Sequence, residues 1–253
     1  LGVSRYLLLA LLALLLAACA PQPLTVTPQP ATLQLAVSDA CAEPVQALAL
    51  AYHKQKPWVA IETVVFNDAV VRERLRDGAA DGAALIWAGE DNFWTHPFIQ
   101  DALAVIVHPD VPVDGLTLGQ LREILRGRIG EWPDGTPIQV VSREEGAGTF
   151  SLIRATVLGN WDLTLTARVV SDDGSMIETV AHTPGAIGYI PLHRVAGDVR
   201  PLALEGISPA PSPDYPLSCS CLWAAAAEPT GALRDWFAWT LGPQGQSVAE
   251  QTR

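Results

Sequence analysis

The chain has 253 residues, 49% of them apolar and 17% charged, with 16 basic against 27 acidic side chains. That length holds one large domain or two ordinary lobes around a substantial core. The apolar fraction excludes wholesale disorder, 20 Gly with 20 Pro are too few for a collagen-like or low-complexity chain, and a formal net charge of −11 argues against nucleic acid as a partner. A small anionic ligand stays possible, because a few local donors outweigh the global field.

The first element is an export signal. Arg5 precedes an uninterrupted apolar run from Tyr6 to Ala18, 13 residues long, short of the ~20 that cross a bilayer as a helix. A short apolar core behind a basic start reads as a secretory signal. It ends in Leu16-Ala17-Ala18-Cys19, which resembles the lipobox of bacterial lipoproteins. The resemblance implies a signal peptide over 1–18, cleavage before Cys19, and acylation of its sulfur. An ordinary signal or a membrane anchor is the competing reading. Ala20–Thr32 carries four prolines, no charge and no periodic apolar face, so 19–32 reads as an extended tether between a lipid and a folded body. The expected location is extracytoplasmic, anchored to the cell membrane.

In the body, Leu33–Val37 is β-compatible, and a helical pattern follows from Glu43 to His53. Val59–Phe66 reads as a strand, Ala69–Arg76 as a short helix stopped by Gly78, and Ala83–Trp87 and Ala102–Val107 as apolar strands. Thr117 with Gln120 forms a capping box, Leu118, Leu121, Ile124 and Leu125 share one face, and Gly127 supplies the stop. Ile138–Ser142 is a strand, Phe150–Leu158 a helix, Ser175 with Glu178 a second capping box, and Gly185–Ile190 a strand. Leu233, Trp236, Phe237 and Leu241 close the chain on an amphipathic helix. Alternating strands and helices argue for an α/β fold with a mostly parallel sheet.

Besides Cys19 there are Cys41, Cys219 and Cys221. Export permits at most one intramolecular disulfide among them, and one from Cys41 to Cys219 or Cys221 would tie the start of the body to its end. Small buried side chains are the plainer reading. A three-thiol metal site lacks any suitably spaced His.

Arg143-Glu144-Glu145-Gly146-Ala147-Gly148-Thr149 stands between a strand and a helix. Gly146 and Gly148 let the backbone approach a ligand closely. Thr149 and the free N–H groups of a helix start point at an anion, and Arg143 brings a permanently charged fork. A tight turn capped by Thr149 explains the same residues. No Walker lysine follows, no dinucleotide fingerprint is present, and Glu144 with Glu145 reads as a solvated pair. The five His are scattered, no nucleophile elbow occurs, and neither catalysis nor a cofactor nor a metal is called for.

Four segments resemble the phosphate-binding proteins of ABC importers. Thr117–Trp132 resembles that family's Leu-rich helix with a Gly–basic–Ile turn and a following Trp. Arg143–Thr149 is similar to its phosphate loop, Thr183–Tyr189 to its Pro-Gly-Ala-Ile-Gly-Tyr strand, and Leu241–Gln246 to its terminal helix start. The resemblance implies a two-lobed type II periplasmic-binding fold, with lobe I formed by 33–105 and 191–253 and lobe II by 106–190. It also implies a monomer that clamps phosphate or a related oxyanion between the lobes and delivers it to an ABC permease. The ligand-binding residues it implies are Ser38, Asn67, Arg143, Ala147, Gly148 and Thr149. A sensor or adhesion module on the same fold is the alternative, because two departures touch the ligand. Ile86-Trp87-Ala88-Gly89 stands where the family has a Ser-Asp pair whose Asp accepts a bond from protonated phosphate, and Ala147 replaces a Ser. Asp39 and Asp68 are open as replacement acceptors or as helix caps.

Overall fold

The computed structural model describes residues 29–87 and 89–252. The expected signal segment, Cys19 and most of the tether lie outside them. Strand β1 (Ala31–Ser38) starts two residues before the expected body. It runs parallel between β2 (Val59–Phe66) and β3 (Gly82–Leu85). Side chains alternate along a strand, so Leu33, Leu35 and Val37 face Val45, Leu48 and Tyr52 of α1 (Ala42–Gln55). Ala36 faces the opposite way, toward Val71 and Leu75 of α2 (Asp68–Arg76).

Strand β4 (Trp94–Val107) then carries the chain from one lobe into the other. Its first part pairs antiparallel with β11 (Ser218–Ala225), and Leu103–Val107 pairs antiparallel with β8 (Ala186–Pro191). Beyond β8 lie β6 (Gln139–Arg143) and β7 (Arg168–Val170), each parallel to its neighbour. The curled mixed sheet therefore reads β2-β1-β3-β11-β4-β8-β6-β7. The crossing half of β4 alternates as β1 does. Leu103, Val105 and Val107 meet Leu121, Ile124 and Leu125 of α3 (Leu118–Leu125) and Phe150 and Ile153 of α4 (Gly148–Ile153). Ala104 and Ile106 meet Met176 and Val180 of α5 (Asp173–His182).

Three local expectations change. Leu202, Leu204, Tyr215 and Leu217 pack into the second lobe's core, β9 (Arg200–Pro201) pairs with the end of β4, and β10 (Ala203–Leu204) pairs with β5 (Gly115–Leu116). The return to the first lobe expected at about 191 therefore falls at Leu217, and we place the lobe boundaries at about 103 and 217. The short strand segments there owe their pairing to partners far away in sequence, which no local pattern announces. The strand expected over Ala102–Val107 begins at Trp94, because Thr95-His96-Pro97 hides it behind polar residues and a proline. The cap of α5 is Asp172, whose carboxylate accepts from Ser175 N at 2.8 Å, so Ser175 lies inside the first turn rather than before it. The Thr117–Gln120 capping box forms as expected, with bonds of 3.1 and 2.8 Å.

The chain ends on α6 (Gly231–Leu241) and α7 (Pro243–Glu250), which begins with Pro at its first position after the Gly242 cap. Trp223 of β11 stacks on Phe98 and Phe237, and its indole donates to Thr240 at 2.8 Å. Cys41 is bridged to Cys221 across 180 residues of sequence, and Cys219 is free among the described residues. Closing so long a loop restricts the unfolded chain and stabilises the fold by about 2–4 kcal/mol. Among the described residues no helix is long and apolar enough to cross a membrane, and no group of His, Cys, Asp or Glu is placed to hold a metal ion.

Candidate functional site

The carboxyl ends of β1 and β3 face that of β6, so loops of the two lobes meet. In open α/β sheets ligands collect at such ends. The meeting point is a single carboxylate, that of Asp68, with no exposed surface. Ser38 Oγ donates to its Oδ1 at 2.6 Å, and the Ile86 and Trp87 backbone N–H groups donate to its Oδ2 at 3.1 Å each. The fourth donor comes from the opposite lobe: Gly148 N reaches Oδ1 at 3.1 Å. Two chain segments of one lobe and one of the other thus converge on two oxygens. The first turn of α2 adds its dipole to the attraction. Burial pushes the Asp68 carboxyl above its usual range, against the pull of Ser38, Trp87 and Ile86.

Arg143 ends β6 beside this cradle with its side chain 1% exposed. All five of its N–H groups are engaged. Nη1 binds Asp39 at 2.7 Å and Asp173 at 3.0 Å, Nε and Nη2 bind Glu144 at 3.2 and 3.3 Å, and Nη2 also binds the Ser171 carbonyl at 2.8 Å. Burial by itself lowers a guanidinium pKa, but Asp39, Asp173 and Glu144 outweigh it, so the charge is held firmly. Tyr189, on β8, fixes the strand end: its hydroxyl lies 2.7 Å from Ser142 Oγ and accepts from Arg143 N at 3.1 Å. Burial pushes the Tyr189 phenol up to about 12, against the pull of the Arg143 N–H, the Ser142 hydroxyl and the Arg143 charge.

The residues named from the sequence divide. Ser38 and Gly148 meet on Asp68. Asn67 caps α2, its Oδ1 accepting from Val70 N at 3.1 Å, and it abuts Gly146, whose carbonyl accepts from Ala69 N at 2.9 Å across the lobes. Ala147 is buried at the cap of α4 and brings no side-chain donor. The Thr149 hydroxyl is buried, with no hydrogen-bond partner among the described residues. Arg143 faces three carboxylates. Sequence reasoning left Asp39 and Asp68 open as acceptors, and it missed Asp173 and the Ile86 and Trp87 amides. Backbone donors carry no side-chain signature, and Asp173 reads as an ordinary acid in a helix's first turn.

Asp173 gives the site a pH dependence. Burial first, and then Asp39, raise its pKa to about 7 against the opposing Arg143, Arg194 and His193. The unfolded chain releases this proton near pH 3.8, whereas the native state keeps it to about 7. Between those values the native state binds more protons, so the stabilisation is present at low pH and is lost as pH rises through 7. Calorimetric melts from pH 5 to 8 should therefore show wild-type stability falling more steeply than that of Asp173→Asn, which has no proton to lose. Parallel profiles for the two proteins would refute the assignment.

This geometry can be set beside known proteins. The chain is 32% identical over 107 residues to the phosphate-binding protein PstS of Borreliella burgdorferi, covering 38% of each chain. It is 25% identical over 146 residues to the protein of that name from Bacillus subtilis, covering 53% of this chain and 48% of the relative. The chain thus spans less than half the length of these curated relatives. Among solved structures, a putative phosphate ABC transporter substrate-binding protein with bound phosphate from Clostridium perfringens superposes with a TM-score of 0.82 at 24% identity, over 87% of this chain and 97% of that one. An ABC-type phosphate transport receptor from Vibrio cholerae gives 0.72 at 24% identity, over 87% and 98%. These superpositions establish the type II periplasmic-binding fold. Residues 25–200 match the family model described as a PBP superfamily domain, and with the two-lobed architecture and the cradle at its centre the chain belongs to the PBP superfamily.

Proposed function

We propose that this protein is an extracytoplasmic solute-binding component of an ABC importer, lipid-anchored at Cys19 and monomeric, that holds phosphate or a related oxyanion between its lobes. One observation carries the reading: donors from both lobes converge on one negatively charged group, the Asp68 carboxylate, in a fully buried cradle. Such a set of N–H and O–H donors suits an oxyanion in general, because charge-assisted bonds to ionised oxygen are the strong ones. Relatives named for phosphate binding, in sequence and in structure, support the same ligand class. The proposed action is hinged closure of the lobes followed by release to a permease, with no covalent step.

Isothermal calorimetry of the purified protein with phosphate, sulfate, molybdate and tungstate tests the proposal. Saturable heat with at least one of the four is expected. No heat and no shift in melting temperature with any of them would overturn it. A second reading, a binding-fold module that has lost transport and contacts another protein, draws on a specific feature: Asp68 fills the cradle and every N–H of Arg143 is taken. Neighbouring permease and ATPase genes favour transport, and their absence favours the second reading.

A further inference from the structure

We infer that Asp68 is a built-in occupant of the anion cradle: its carboxylate closes the lobes without ligand and must leave before a free oxyanion can bind, which makes it a specificity-determining residue. The inference deepens the oxyanion reading proposed above and rests on it for its ligand. Three observations carry it.

First, helix capping does not require Asp68. Asn67 already caps α2 through Val70 N. A carboxylate in the first turn profits from the helix dipole wherever it points, but the dipole does not account for four donors drawn from β1, the segment after β3, and the opposite lobe. Second, the carboxylate fills the space an anion would take. A Cβ built on Gly148 would collide with the Asp68 carboxyl carbon and both of its oxygens, so Gly148 has no side chain because Asp68 occupies that volume. Third, the surroundings exclude a second anion while Asp68 is in place. Asp39, Glu144 and Asp173 crowd the Arg143 guanidinium. Like charges in a buried site repel strongly. With Asp68 withdrawn, the freed donors are Ser38 Oγ, Ile86 N, Trp87 N and Gly148 N. The buried Thr149 hydroxyl, next along the chain from Gly148 and without a partner among the described residues, completes the set.

The experiment uses full-length protein and two readouts. Phosphate binding is measured by calorimetry, and protection of the amides around Gly148 by hydrogen–deuterium exchange without phosphate. Wild-type protein should show protected Gly148 amides and weak binding. Asp68→Ser keeps a short polar side chain without the charge. It should expose those amides, recover protection when phosphate is added, and tighten phosphate binding by about tenfold or more. Asp68→Asn, which keeps the shape but turns an NH2 toward backbone N–H groups, should also expose them, and it provides a second variant should the serine protein fold poorly. Wild-type affinity equal to or better than that of both variants would overturn the inference while leaving the oxyanion reading intact. If none of the proteins binds any of the four anions, the oxyanion reading fails instead. Amide protection then decides the inference separately: lost protection in the variants upholds Asp68 as the clamp between the lobes, and unchanged protection overturns it.

Discussion

Arg143→Ala is expected to destabilise the protein by about 3–5 kcal/mol at pH 7.5, the usual cost of breaking a buried ion pair from one side. The reason lies in what stays behind. Asp39, Asp173 and Glu144 all bond to the guanidinium, and the first of these belongs to the opposite lobe. Without it, the nearly buried Asp173 loses its cation, and its second oxygen already has no partner among the described residues. The Ser171 carbonyl also loses its donor. The loss should shrink at pH 5, because Asp173 already holds its proton there and its burial then leaves no uncompensated charge. Arg143→Lys should fall between wild type and alanine, since a point charge replaces one carboxylate bond but cannot reproduce the planar fork. Urea unfolding at the two pH values measures all three proteins. A loss under about 1 kcal/mol for alanine, equal at both pH values, would show that the cluster is solvated and contributes little.

The same cluster shows what a sequence can and cannot disclose. Arg143 stands out in the sequence because it lies between a strand and a glycine-rich helix start, and the fold was legible from four ordered segments in the second half of the chain. Strand Val59–Phe66 and the Thr117 cap are local features, set by β-branched runs and by one side chain bonding three residues on, and they emerge as read. What escaped depends on contacts between distant residues. Asp39 lies 104 positions from Arg143, and Asp68 lies 80 from Gly148. Nothing near either aspartate separates an ion-pair partner or a cradle occupant from a helix cap. The disulfide belongs to the same class: Cys219 and Cys221 are equivalent by spacing, and what singles out Cys221 is its place in the core cluster that also holds Cys41.

Gly148→Ala is expected to abolish the closed arrangement of the lobes, and adding Asp68→Ala is expected to remove the clash without restoring closure, because the carboxylate that draws the lobes together is then gone. Gly148 has an ordinary negative φ and begins a helix, a position where alanine is intrinsically favoured. The nearest obstacle to the new methyl is the Asp68 carboxylate on which it would land. A carboxylate at the end of a free side chain could swing aside cheaply. This one is held by Ser38, Ile86 and Trp87 from its own lobe, so moving it forfeits three charge-assisted bonds and leaves buried donors unpaired. Separating the lobes is the expected relief: it breaks the Gly148 bond, the Ala69-to-Gly146 bond and the Arg143–Asp39 pair, whose charges meet water as they part, but it keeps the first-lobe cradle whole. Small-angle scattering without phosphate should therefore show the single and the double variant both expanded relative to wild type. The overpacking cost of about 1–3 kcal/mol that Gly148→Ala carries beside Asp68 should be absent in the Asp68→Ala background, where the side chain is shorter. A single variant as compact as wild type, with no loss of stability, would mean that Asp68 rotates out of the cradle freely, and the four-donor arrangement would then be too weak to hold two lobes together.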